Sequence, residues 1–193
     1  MRQASAGRSE VRLGPWLRLY QVHSATFESG VLDDRHVHRA LAALPVPVGL
    51  TLSGPAQADV LVRALELTVD DRPLFSGVQA TWNLLEPSAG PALQEAHDIG
   101  WTVIVKEALA NGRLARRGSA PAVLGERPDA VALAAALAQP WADVVLSGAS
   151  TISQLRQNLA ARELGDSVDL DALASLATAP DAYWAERSAL PWT

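Results

Sequence analysis

The stretch Val46-Pro47-Val48-Gly49-Leu50-Thr51-Leu52, closed by Ser53-Gly54-Pro55 and followed by Gln57 to Leu67, decides how this sequence is read. Its first part is a short apolar run bounded by turn-forming residues, the signature of a buried strand. In its second part Val60, Leu61, Ala64 and Leu65 recur at helical spacing, so one face of a helix is apolar. Strand, turn and helix make one βα unit, and such units build parallel sheets covered by helices.

The unit repeats in both directions. Upstream, Leu17 to His23 reads as a strand. A helix follows from Asp33 to Leu44, with Val37, Ala40, Leu41 and Leu44 on its apolar face and Asp33 and Asp34 in its first turn, where the helix dipole favours acids. Pro45 and Pro47 end it. Downstream, strands are predicted at Ser76 to Trp82, Trp101 to Lys106 and Asp143 to Leu146, and helices at Gly90 to Ile99, Asp129 to Ala138 and Thr151 to Ala161. A long loop rich in Gly, Arg and Pro runs from the fourth strand to Pro128. The expected fold is α/β, a partial TIM-type (β/α) barrel with about five parallel strands and outer helices. A polar segment, 1–16, precedes the barrel, 17–165. A helical tail, 166–193, carries Leu170 to Leu176 and Tyr183-Trp184, read as an apolar helix on the outer layer.

At 193 residues the chain is long enough for one well-buried domain yet short for a closed barrel, which takes about 250. A net charge of -5 argues against a nucleic-acid or anionic-membrane partner. No apolar run approaches a membrane span and the first ten residues lack the apolar core of a signal peptide, so the cytoplasm is the expected location. With no cysteine there is no thiolate metal site or disulfide framework. His36 and His38, two apart on a helix, point to nearly opposite sides; a solvated face is expected for them and no metal site.

A (β/α) barrel puts its chemistry at the carboxyl ends of its strands. That rule gathers His23, Ser53, Gln79, Lys106 and Gly148 at one mouth, with Trp82 and Asn83 near it. Taken alone, His23 reads more readily as a hydrogen-bonded core residue, and Trp82 and Asn83 serve rim packing as well as substrate contact. Gly148-Ala149-Ser150-Thr151 runs from a strand into a helix N-terminus, whose free amides and dipole suit a phosphate. Thr151 followed by Gln154 also satisfies a capping box, which does no more than start a helix. Lys106 and Glu107, adjacent and opposite in charge, neutralise each other at the rim as readily as they meet a ligand.

Four pieces in order resemble the aldo/keto reductase family: Leu19-Tyr20-Gln21-Val22-His23, Ser53-Gly54, Val78-Gln79, and Gly148-Ala149-Ser150 with Gln154, Gln157 and Asn158. The resemblance implies an oxidoreductase that transfers hydride between NADP(H) or NAD(H) and a small carbonyl or alcohol. It makes His23 the catalytic histidine and assigns Ser53, Gln79, Lys106, Gly148, Ala149, Ser150, Gln154, Gln157 and Asn158 to the cofactor, with Trp82 and Asn83 toward the substrate. Three departures accompany it: Gly54 replaces an asparagine, Lys106 stands where an aromatic residue commonly stacks on nicotinamide, and Gln157 stands where an acid is frequent. The family's tyrosine, lysine and aspartate belong to strands preceding that of His23, so the resemblance implies a truncated reductase, inactive alone. The alternative is a non-catalytic remnant that binds nucleotide weakly or serves as an interaction module. A non-redox barrel enzyme would draw on Glu28, Glu86 and Glu107 as acid and base. Open strand edges make self-association the expected behaviour.

Overall fold

The computed structural model describes residues 16–115 and 121–191. The polar segment 1–16 therefore lies, apart from Trp16, outside the described residues, as do part of the long loop and Trp192. Five parallel strands form one sheet in the order β1 (Tyr20–Ala25), β2 (Val48–Leu52), β5 (Gly77–Thr81), β6 (Thr102–Lys106) and β7 (Val144–Val145). Helices α1 (Arg35–Ala42), α2 (Gln57–Leu65), α3 (Gly90–Asp98), α4 (Pro128–Leu137) and α5 (Ile152–Leu159) follow the successive sheet strands. This is the expected partial (β/α) barrel.

Alternation along the strands divides the sheet into two faces. Leu50, Leu52, Val78, Ala80, Val103 and Val105 are fully buried, in one core with Val60, Leu61 and Ala64 of α2, Leu93 and Ala96 of α3, and Leu133 and Ala134 of α4. Each such leucine or valine contributes about 1.5–3 kcal/mol on leaving water. On the opposite face Thr51, Gln79, Ile104 and Val144 stand side by side in register, and this face is more open and more polar. At its base Gly49 and Gly77 are paired beneath Leu19. A Cβ on Gly49 would meet the Gly77 carbonyl oxygen at 2.6 Å, so the close approach of these strands requires glycine.

Several boundaries differ from the sequence reading. The β1 strand continues past His23 to Ala25 through a bulge: Val22 pairs with Leu50 and Ala25 with Leu52, so His23 and Ser24 together oppose one residue. Ser24 takes φ 52 to allow it. The fifth strand of the sheet shortens to Val144–Val145, and the Asp143 carboxylate extends its edge by accepting from the Val103 amide at 2.7 Å. A hairpin absent from the sequence reading, β3 (Thr68–Val69) and β4 (Arg72–Pro73), turns at Asp70-Asp71, both at positive φ as a type I′ turn demands. His38 corrects the expectation of a solvated pair: it is buried, its Nε2 2.7 Å from the Val31 carbonyl oxygen, while His36 is exposed. The helix begins two residues later than expected, with Asp34 as N-cap accepting from the amides of His36 and Val37.

After α5 come α6 (Ala161–Leu164), α7 (Leu170–Leu173) and α8 (Pro180–Ala189). The tail does not simply lie on the outer layer. Tyr183 is fully buried, and α8 docks on the segments that leave the carboxyl ends of β5 and β6.

Candidate functional site

The carboxyl ends of β6 and β7 and the first turns of α4 and α5 enclose a cleft of about 740 Å³. Lys106, Gly148, Ala149, Gln154, Gln157 and Asn158 all line it, six residues drawn from two separate sequence segments. Ser150 stands beside it in the helix cap. Gly148 adopts φ +62 with open space in front of its Cα, the freedom that lets a strand end turn into a helix while leaving backbone accessible.

The N-terminus of α5 is capped from within. Thr151 accepts from the Gln154 amide at 3.2 Å, and Gln154 Oε1 accepts from the amides of Ser150 and Thr151, both at 3.0 Å. The capping box is thus real, and a side-chain carbonyl occupies the place where those two amides would greet an anion. Asn158 is buried and donates from Nδ2 to the Ser147 carbonyl at 2.9 Å, pinning the loop to its helix.

Lys106 and Glu107 do not pair with each other. Glu107 is held by Arg187 of α8, whose Nη2 donates at 2.7 Å and whose Nε donates to both carboxylate oxygens at 3.2 and 3.1 Å. The Lys106 side chain has no hydrogen bond or ion pair among the described residues, and burial holds its ammonium below the usual lysine range. Glu107 raises that affinity for the proton and Arg187 lowers it.

The remaining predicted residues fall elsewhere. Gln79 lies on the open face of β5 with its Nε2 3.5 Å from Thr51 Oγ1, and Ser53 follows β2. His23 is exposed on β1, its Nδ1 2.8 Å from Ser24 Oγ. Since β1 and β7 are opposite edges of the sheet, His23 is four strand intervals from Gly148, about 19 Å along the sheet.

Trp82 and Asn83 turn into the protein. Trp82 packs edge-on against Trp141 at 5.7 Å, and Asn83 Nδ2 donates to Tyr183 Oη at 2.9 Å and to the Glu107 carbonyl at 3.0 Å. The three carboxylates near the mouth are equally dispersed: Glu28 is exposed, Glu86 is fully buried and bonded by Gln57 and Ser88, and Glu107 belongs to Arg187.

Two features escaped the sequence reading. Asp129, in the first turn of α4, lines the cleft, a position set by packing that no motif announces. Arg187 lies 80 residues from Glu107 and reaches it only because Tyr183 and Trp184 bury the face of α8 beside it. Tyr183 is no proton donor to the cleft, since it is buried, bonded to Asn83, and pushed upward in pKa chiefly by that burial.

No protein-family model and no curated protein matches the sequence. Among solved structures, the aldo-keto reductase AKR11C1 from Bacillus halodurans is similar in its holo form, with TM-score 0.61 and 22% identity over 84% of this chain. Its apo form is similar at TM-score 0.59 and 23% identity. The chain spans 62% of the length of that reductase. The chain thus shares the fold of part of that reductase, the partial (β/α) barrel that the sequence resemblance implied.

Proposed function

We propose that this chain is the dinucleotide-binding part of an aldo-keto-reductase-type oxidoreductase, and that its cleft takes NADP(H) or NAD(H). The observation that carries this reading is the cleft itself, where Lys106, Gly148, Ala149, Gln154, Gln157 and Asn158 converge on one volume. They fit such a group: a lysine amine, an accessible glycine backbone and amide side chains offer hydrogen-bond donors that suit phosphate and ribose. Gln157, exposed and lining the cleft, makes direct contact; Asn158 acts by fixing Ser147. Gln154 swings aside when an anion approaches the Ser150 and Thr151 amides. The cofactor supplies hydride, and the protein supplies binding, orientation and a proton.

Proton supply is the weak link. The chain has two tyrosines, Tyr183 on the buried face of α8 and Tyr20 on the far edge strand, and neither lines the cleft. General acid catalysis is commonly worth about 10²- to 10⁴-fold. His23, exposed at its bulge and bonded to Ser24, is a poor substitute, so this chain by itself binds dinucleotide and reduces small aldehydes and ketones slowly. A second reading, a nucleotide-binding module without catalysis, is favoured by the burial of Tyr183 and its bond to Asn83.

The test follows oxidation of NADPH and NADH with a panel of aldehydes and ketones. Slow turnover lost in His23→Ala supports the oxidoreductase; saturable binding with no turnover supports the module. Robust turnover that survives His23→Ala contradicts the assignment of that residue.

A further inference from the structure

The chain contains one lysine, Lys106, against fifteen arginines. Wherever a long cation pairs with a carboxylate among the described residues it is an arginine: Arg63 with Asp33 and Glu66, Arg113 with Glu186, Arg127 with Glu163, Arg187 with Glu107. The single amine is reserved for the end of β6, where it lines the cleft. Guanidinium and ammonium differ in one chemical respect that matters there: an arginine stays charged, whereas a lysine that sheds its proton becomes a nucleophile.

The surroundings favour that loss. Lys106 is half-buried and its side chain has no hydrogen-bond or ion-pair partner among the described residues. The carboxylate beside it in sequence, Glu107, faces Arg187 instead. Asp129 is the other carboxylate lining the cleft, and no ion pair joins it to Lys106. Burial disfavours the charged amine, Arg187 adds to this, and Glu107 opposes it.

We propose that Lys106 is a carbonyl-reactive amine, which captures small aldehydes in this cleft as an imine. The nitrogen lone pair forms a bond to the carbonyl carbon while the carbonyl π electrons move to oxygen. A proton passes from nitrogen to that oxygen, giving a carbinolamine. Loss of the hydroxyl with the second nitrogen-bound proton, as water, leaves the C=N bond. Nothing is oxidised or reduced. The chemistry needs no dinucleotide, so it stands or falls apart from the proposed cofactor.

Because there is one lysine, the experiment reads a single side-chain amine. The full chain is incubated at pH 7.5 with glycolaldehyde and sodium cyanoborohydride, which reduces the imine to a stable secondary amine, and peptide mass mapping separates Lys106 from the Met1 α-amino group. The reference is the same chain unfolded in guanidinium chloride, where Lys106 is an ordinary lysine. Trapping at Lys106 is expected at least tenfold faster in the folded chain, with the Met1 rate changed far less and the Lys106 adduct absent in Lys106→Arg. A Lys106 rate equal to or slower than that of the unfolded chain overturns the proposal.

Discussion

Glu107 and Arg187, 80 residues apart, form a two-pronged ion pair that ties the last helix to the end of β6. Both side chains are mostly buried, at 14% and 17% exposed, and Arg187 also lies over the Trp184 ring at 5.4 Å. Arg187→Ala leaves a carboxylate without its partner beside the cleft, at a cost of about 1–3 kcal/mol. Denaturant unfolding reads the loss. The same variant frees Glu107 to face Lys106, so reductive trapping at Lys106 slows at neutral pH; unchanged trapping contradicts the idea that Arg187 keeps that carboxylate away.

A second long-range device is Gln57. Its side-chain amide donates to the Thr81 carbonyl at 2.9 Å and accepts from the Thr81 amide at 3.1 Å, tying the start of α2 to the end of β5. The same Nε2 reaches Glu86 at 3.2 Å. All three residues are buried. Gln57→Leu strands polar groups out of water and costs about 3 kcal/mol, each unsatisfied group being worth roughly 1–3. A loss under about 1 kcal/mol in urea melts would show that water replaces the amide.

The Lys106 amine also makes stability depend on pH. Its proton affinity is lowered by folding, so between the folded and unfolded pKa values the unfolded chain binds more protons, and stability rises with pH through that window. Lys106→Met removes this slope and stabilises the chain at neutral pH. Tyr183 acts oppositely in the alkaline range, because its raised pKa gives stability that is lost above about pH 10. Melts from neutral pH to about pH 9.5 isolate the lysine. A slope that survives in Lys106→Met assigns it to another group.

The sheet ends at β1 and β7, where Val144 is 43% exposed, and α5 presents Ile152, Leu155 and Leu159 to solvent at 72%, 45% and 51% exposure. An apolar helix face and an open strand edge each invite pairing. Sedimentation is expected to show concentration-dependent self-association, reduced by Ile152→Glu with Leu155→Glu. A monomer at every concentration contradicts this.

Among the described residues no helix is long and apolar enough to cross a membrane, which agrees with the apolar runs being short. The βα alternation was legible because each strand is a compact apolar run closed by turn formers, and each helix repeats its apolar residues at 3.6. The convergence of Lys106 with Gly148 to Asn158 was legible too, because strand ends meet at one rim. What stayed hidden depends on distance or on single dihedral angles. The His23–Ser24 bulge leaves no compositional mark, Asp70-Asp71 makes its turn without glycine, and burial of His38 follows from the Val31 carbonyl above it. Asn83 reads like a rim residue and is instead a bracket for Tyr183, which only the docked α8 reveals.

Calorimetric titration of the folded chain with NADPH and NADH tests the central claim most directly. The account predicts saturable binding of one nucleotide per cleft, weakened severalfold by Gln157→Ala, which removes an exposed amide from the cleft lining without touching any bond that holds the fold. No heat of binding at millimolar nucleotide, or binding unaltered by Gln157→Ala, would contradict it.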